Sequence, residues 1–384
     1  MQKKRKILFI TERRADYSRI KPIMKAVQKS KKLELQLLVT GMHLLKDFGE
    51  TKCVIQKEGF KISATLPMYD SNDKDDGAHM VKAMGRVLLG MPDIFARLKP
   101  DVIFCGFDLG AHLAAAITGM HMNIHVAHIQ GGEVSGTIDE VLRHACTKFA
   151  HLHFAATEQS VRRLIKLGED PRYVYNVGSP SLNTITSINY PPKKEIFEKY
   201  GLNPSKKLII VLQHPVTTEV DDVVDQITQT IDAINVINQE HGAQALAIYS
   251  NNDAGGKRII THLKKSSINV VPHIVYEDFL RLMKRADVLV GNSSAGIHEA
   301  PSFKLPVVNI GTRQQFRERG KNVLDARNDK QSIVKAIEKS LFDKKFMKIV
   351  QTGTNPYQNG NTAAKVVKIL ETVKFPNIQK VISY

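Results

Sequence analysis

The sequence predicts an α/β protein of two domains, each a parallel sheet covered by helices on both faces. Three observations carry this. With 384 residues the chain exceeds what one ordinary core fills. Short apolar runs alternate with segments of helical period, as they do when parallel strands are buried on both faces. Polar residues gather where the apolar runs end, and ligands bind at strand ends in such sheets. The run Asn189-Tyr190-Pro191-Pro192-Lys193-Lys194 interrupts the alternation. It sets the expected boundary between a first domain over 1–188 and a second over 189–361, with the segment 362–384 returning to the first.

In the first half, residues 6–11 read as a strand, followed by a helix carrying Ile20, Ile23, Met24 and Val27. The dinucleotide fingerprint of spaced glycines is absent between them, so Arg14 and Ser18 stand beside a helix start that favours anions. A second strand, 35–40, ends in Gly41-Met42-His43, and a polar loop, 70–77, leads into a helix over 78–98. The strand 101–105 ends in Gly106-Phe107-Asp108-Leu109-Gly110, at the start of a helix over 111–118. An apolar run, 123–129, turns at Gly131-Gly132 into a helix from about Ile138, where Thr137 and Glu140 have capping-box spacing. Glu140, Arg143 and His144 share one face of that helix. Strands over 151–155 and 173–176 flank a helix over 158–167.

The second half repeats the architecture without repeating the sequence. A strand over 208–212 ends in Gln213-His214-Pro215 and precedes a helix reaching about residue 239. The next strand, 245–249, ends in a loop holding Asn251 and Asp253. A short strand, 269–271, precedes a helix over 276–284. The strand 287–290 ends in Gly291-Asn292-Ser293-Ser294, ahead of a helix carrying Glu299, and 306–310 ends in Gly311-Thr312-Arg313. Segments 330–342 and 362–374 are amphipathic helices.

Hydrophobic content of 42% and charged content of 24% describe a soluble globular chain. No apolar run is long enough to span a bilayer, and the start lacks a signal-peptide apolar region. Cys53, Cys105 and Cys146 are odd in number and widely spaced, against a disulfide framework or structural zinc site. A cytoplasmic location follows as the expectation. The formal charge of +17 comes mostly from scattered lysines with no basic stripe among aromatics, so neither nucleic acid nor membrane is an expected partner.

The strand-end residues suggest a chemistry, each beside a plainer alternative. Arg14, His43, Asp108 and the loop from Gln130 to Glu133 converge on one cleft if the sheet is parallel. Glu140, Arg143 and His144 suit proton transfer near an anion, or form an ordinary ion-paired helix face. Gly291 to Ser294 offer backbone N–H groups and hydroxyls to a diphosphate, or simply pack a helix. Glu299 suits a ribose diol, and Arg313 adds a cation. His214 is a phosphate contact, an acid or a turn histidine; Asn251 and Asp253 cap a helix or hold a nucleotide.

The set Arg14-Ala15-Asp16-Tyr17-Ser18, the stretch from His128 to Asp139, Gln213 to Thr218, Gly291 to Ser294 and Gly311-Thr312-Arg313 resembles the hydrolysing UDP-N-acetylglucosamine 2-epimerases, collinearly over essentially the whole chain. The resemblance implies two Rossmann-like domains facing across a cleft, as in glycosyltransferase-B folds, with UDP on the second domain. It implies loss of UDP to a glycal followed by hydration, giving N-acetylmannosamine for sialic-acid-type synthesis, with no cofactor or metal. Asp108, Glu133 and Glu140 are then the acid/base candidates, with Arg143 and His214 near the diphosphate. Arg14, His214, Arg313 and the Ser293-Ser294 helix end would stabilise the leaving UDP. A homodimer or homotetramer is the family's implied assembly. Two departures stand out: Gln130 replaces a family glutamate, and Cys105-Gly106-Phe107-Asp108-Leu109-Gly110 is one residue longer than the family's His-Gly-Asp-Arg. Both point to a variant substrate such as UDP-2,4-diacetamido-2,4,6-trideoxyglucose, the legionaminic acid precursor.

Overall fold

The computed structural model describes residues 3–70 and 72–383. Residues 1, 2, 71 and 384, which fall within the expected first domain, its 70–77 loop and the returning segment, lie outside it. The described strands form two wholly parallel sheets. The first holds β1 (Arg5–Thr11), β2 (Leu33–Thr40), β3 (Ala64–Leu66), β4 (Val102–Gly106), β5 (His125–Ile129), β6 (Leu152–Ala155) and β7 (Val174–Asn176), in the order β3-β2-β1-β4-β5-β6-β7. The second holds β8 (Leu208–Leu212), β9 (Gln244–Ile248), β10 (Asn269–Val271), β11 (Val288–Gly291), β12 (Val307–Ile310) and β13 (Val323–Ala326), in the order β10-β9-β8-β11-β12-β13. Parallel neighbours need crossover helices, and these cover both faces. In each sheet the strand order reverses once, between β1 and β4 and between β8 and β11. Such reversals open a crevice at the carboxyl ends of the strands.

Alternation along β1 shows how the core is divided. Ile7 and Phe9 pack with Ile20, Ile23, Met24 and Val27 of the helix Arg14–Lys29. Leu8 and Ile10 point the other way, onto Val87, Met91 and Phe95 of the helix Gly77–Leu98. The second sheet does the same: Ile209 and Val211 meet Ile227, Ile234 and Ile337, while Leu208 and Ile210 meet Phe197, Phe279 and Leu280. The helix Thr362–Thr372 adds Ala363, Val366 and Leu370 to the Ile7–Phe9 side of the first core. Residues beyond it strap across the first sheet: Phe375 stacks on His125 at 4.4 Å, and Pro376 O and Ile378 O lie 3.0 Å from the Nε2 atoms of His125 and His151.

Local differences from expectation have local causes. The Pro191-Pro192 run starts a helix as well as breaking one, because Pro192 N-caps Lys193–Lys199, a position where a missing N–H is harmless. The helix expected to carry Glu299 is a single turn, Ala295–His298, followed by a 3-10 turn, Ala300–Phe303, with Pro301 in it. Ile138 is the residue before Asp139–Phe149, but the cap is made by Thr137, whose Oγ1 accepts from Asp139 N–H at 3.2 Å; the capping box is not closed, because Glu140 accepts from Ser135 N–H instead. Among the described residues, no helix is long and apolar enough to cross a membrane.

Candidate active site

The loops at the two reversal points face each other and enclose a cavity of about 250 Å³. The β1 loop is shaped by Asp16. Its carboxylate accepts from the backbone N–H of Glu12 at 2.9 Å, of Arg13 at 2.6 Å, and from His112 Nε2 at 3.0 Å. Gly106 N–H donates to His112 Nδ1 at 3.0 Å, which fixes the ring proton on Nε2, facing Asp16. After β4, Phe107 adopts φ +64°, a left-handed turn that delivers Asp108 to the cavity. After β5, Gln130 (φ +59°) and Gly132 (φ +76°) turn the chain toward the second sheet. There Gly136 N–H donates to Arg313 O at 3.1 Å, and a Cβ on Gly136 would lie 2.0 Å from Thr312 O.

One edge of the cavity is cationic. Arg14 Nη1 is buried with no partner in the protein, and burial lowers this guanidinium to about 10. Arg313 Nη2 lies 3.2 Å from Asp139 Oδ2. His214 Nδ1 accepts from Asn251 N–H at 3.2 Å, which leaves its proton on Nε2. Burial, and secondarily Arg313, hold the imidazole down at about 3, so it is neutral at pH 7. Ser18, Ser293, Ser294 and Asn251 complete this edge, where Arg19 donates to Ser294 Oγ at 3.0 Å. Glu299, buried, accepts from Tyr276 Oη at 3.2 Å and Arg19 Nε at 3.4 Å, while its Oε2 has no protein partner.

The adjoining edge is acidic. Glu133 Oε1 accepts from Gln130 Nε2 at 2.8 Å, and its Oε2 accepts from His298 Nε2 at 3.0 Å. Burial would raise the Glu133 carboxyl, but His298, Arg317 and Arg143 outweigh it and hold the group well below the carboxylate range. His298 itself is kept below its usual value by burial, against the pull of Glu133, so a neutral imidazole donates to a carboxylate. Gln130 Oε1, turned away from Glu133, is buried without a partner. Arg143, buried, donates to Asp108 Oδ2 at 2.5 Å and to Glu133 O at 3.2 Å. The carboxyls of Asp108 and Asp139 are shifted in opposite directions. Against its burial, Asp108 is drawn down by Arg143 and other arginines; Asp139 is pushed up by burial and then by Asp108.

Five expected site residues do not line this cavity. Glu140 spends its carboxylate on Ser135 N at 2.7 Å and His144 Nε2 at 2.9 Å, bracing the loop from outside. His43 is wholly buried between Thr11 Oγ1 at 2.9 Å and Thr51 Oγ1 at 2.7 Å. It borders a smaller neighbouring pocket instead. Asp253 is paired with Arg13 at 2.7 Å and with Asn251 Nδ2 at 2.5 Å. Asn292 ties two strand ends together, its Oδ1 accepting from His214 N at 2.7 Å and its Nδ2 donating to His214 O at 2.8 Å. Gly291 (φ +133°) is there for closeness, since a Cβ would meet Leu212 O at 2.2 Å. The cavity also takes Arg13, Asp16, Arg19, Asp139, Tyr276, His298 and Arg317, none singled out from sequence. Asp16 and Asp139 stood inside quoted motifs; the others gave no signal of their own.

The family model described as UDP-N-acetylglucosamine 2-epimerase matches residues 25–371. The chain is 36% identical over 373 residues to a hydrolysing UDP-N,N'-diacetylbacillosamine 2-epimerase of Legionella pneumophila, covering 96% of each. It is 33% identical over 375 residues to a UDP-N-acetylglucosamine 2-epimerase of Neisseria meningitidis, covering 97% of this chain and 96% of that one. The crystal structure of a Neisseria meningitidis UDP-GlcNAc 2-epimerase bound to UDP-GlcNAc superposes with a TM-score of 0.79 at 18% identity, covering 95% of this chain and 99% of that one. Two Rossmann-like sheets facing across a cleft are thus shared with that structure.

Proposed function

The chain belongs to the UDP-N-acetylglucosamine 2-epimerase family, and from that premise we propose that it hydrolyses a UDP-linked N-acetylamino sugar with inversion at carbon 2. On this reading UDP lies against the cationic edge. Arg14, Arg313 and His214 Nε2–H meet the diphosphate, and Glu299 Oε2 accepts from the ribose diol. The sugar ring lies against the acidic edge. One carboxylate of the Asp108–Asp139 pair removes the carbon 2 proton as the carbon 1–oxygen bond to UDP breaks, giving a glycal. Water then adds at carbon 1 while the other group protonates carbon 2 from the opposite face. Glu133, clamped at both oxygens, stays ionised and orients the loop and the sugar instead of carrying the proton.

The single observation behind this assignment is geometric: Asp108 and Asp139 line the same cavity as Arg14, whose Nη1 is buried without a protein partner. Two titratable neighbours pushed apart are how a site keeps an acid and a base at one pH. The reading divides the chain into a sugar-handling lobe (1–188 with 362–384) and a UDP-holding lobe (189–361). It takes the enzyme as a homo-oligomer needing no cofactor, on the resemblance, and as cytoplasmic, on the cysteine usage and the lack of a long apolar run.

UDP-N-acetylglucosamine giving N-acetylmannosamine and UDP, for sialic-acid-type synthesis, is the first substrate assignment. UDP-2,4-diacetamido-2,4,6-trideoxyglucose is the second, favoured by Phe107 and Leu109 on the cavity wall, which suit an acetamido and a methyl better than hydroxyls. An NMR time course in deuterated water with each sugar decides. Free UDP with deuterium at carbon 2 of a free, epimerised sugar is the expected result. A UDP-linked epimer would make the enzyme non-hydrolysing, and binding without turnover of either sugar would make the protein a sensor.

A further inference from the structure

A pair of thiols lies behind the acidic edge. Cys105 on β4 and Cys146 on the helix Asp139–Phe149 meet with their sulfurs 3.4 Å apart, both buried in the apolar layer between sheet and helices. Both are free. Arg143 precedes Cys146 by one helical turn, and Asp108 follows Cys105 around the strand end. Arg143 and Asp108 are themselves joined at 2.5 Å. The thiol pair and the ion pair are therefore two rungs between the same two elements. His128 of β5 stands near Cys146, with its Nε2 buried and unpartnered and its Nδ1 3.2 Å from Thr147 Oγ1.

We propose that Cys105 and Cys146 are an oxidation site, at which a hydroperoxide closes a disulfide that displaces the Arg143–Asp108 pair from its working position and stops turnover. The sulfurs must approach by roughly 1.3 Å to bond, and a shift near 1 Å in a positioned group lowers rates by about a hundredfold. The Cys105 thiol, His128 and their surroundings hold Cys146 below the usual thiol range, although burial opposes them; burial raises Cys105. The Cys146 thiolate attacks the peroxide, the O–O bond breaks, and the leaving oxygen takes a proton. Cys105 then loses its proton and attacks the Cys146 sulfenic sulfur, forming the S–S bond and releasing water. Two thiols and one hydroperoxide give one disulfide, one alcohol (water, from hydrogen peroxide) and one water.

The test uses the full chain carrying Cys53→Ser, which removes the exposed competing thiol. After hydrogen peroxide, alkylation and digestion, the expected product is a linked Cys105–Cys146 peptide pair lacking two hydrogens. UDP-sugar turnover should fall at least tenfold, and dithiothreitol should restore both. Cys146→Ser should keep its turnover through the same treatment; Cys105→Ala serves equally if that variant folds poorly. Sulfinic acid on Cys146 without linkage, or a linkage that leaves turnover unchanged, overturns the proposal. Should the reduced protein turn over neither sugar, the functional reading fails separately. The disulfide is then judged by the linked peptide and by faster amide exchange in the helix Asp139–Phe149.

Discussion

Arg14 and Asp139 are adjacent in purpose and opposite in charge, and each makes a prediction of its own. A guanidinium whose Nη1 is buried and unpartnered gains when an anion arrives. Arg14→Ala should weaken UDP binding by about tenfold to a hundredfold in calorimetry, and Arg14→Lys should recover little of it, because a compact ammonium lacks the planar fork. Asp139→Asn should lower kcat by roughly 10²–10⁴ with UDP affinity nearly unchanged; equal losses in both would show a structural role. His43 sets a pH dependence of stability. Burial depresses it to about 4, so the folded state holds it neutral between two threonine hydroxyls while the unfolded chain protonates it near 6.5. Its contribution, on the order of 3 kcal/mol, is fully present above pH 6.5 and is lost as pH falls toward 4. Urea midpoints should drop between pH 7 and pH 4.5, and less so in His43→Gln. These residues also mark the limit of reading a sequence. Arg14 was legible because it follows a strand. His43 follows one too, but the hydroxyls that bury it come from Thr11 and Thr51, which no spacing connects. Asp139 and Glu140 are neighbours on a helix start, and only the direction of its first turn decides which faces the cavity.

The loop from Gln130 to Ile138 is the element on which the site turns. It leaves the first sheet, crosses to the second and touches it through Gly136 and Thr312. Gly136→Ala would drive a Cβ to 2.0 Å from Thr312 O, which cannot yield without moving its strand end. The loop must back away, carrying Glu133 and Asp139 with it. The expected outcome is a fall in kcat of tenfold or more, with a loss of stability of about 1–3 kcal/mol; unchanged kinetics would mean the loop is free to relocate. Long elements were legible, since helices such as Gly77–Leu98 and strands such as β1 carry a clear period. Short ones were legible only in part: the strand over 269–271 was read where β10 stands, but others left no trace. The helix Lys193–Lys199 has too few residues to show a period and hides behind two prolines, and β3 is three residues at a sheet edge. The single turn before Glu299 was overread because Pro301 stops it.

At the scale of the molecule, one helix joins the lobes. From Arg14–Lys29 and the residue before it, Arg13 reaches Asp253 at 2.7 Å, Arg19 reaches Glu299 at 3.4 Å, and Lys21 reaches Glu277. These pairs are largely buried, so removing one partner leaves a desolvated charge behind. Arg13→Ala should loosen the closed arrangement, seen as a larger radius in X-ray scattering and a UDP-sugar KM raised about tenfold. A mutant of unaltered radius and KM would show that the remaining pairs suffice. That two parallel sheets exist was legible from the alternating pattern; that they are clasped by α-helical cations from one side was not, because each pair spans more than two hundred residues of sequence.

The helix Thr362–Thr372 has a consequence for how the protein is made. Ala363, Val366 and Leu370 seal one side of the first core, and Arg5 donates to Leu370 O. A ribosome therefore delivers the opening lobe long before it delivers the piece that closes it. The later-made lobe holds all its own strands in sequence and is ready to fold as it emerges. The apolar surface made first therefore stays uncovered until the helix Thr362–Thr372 has been made.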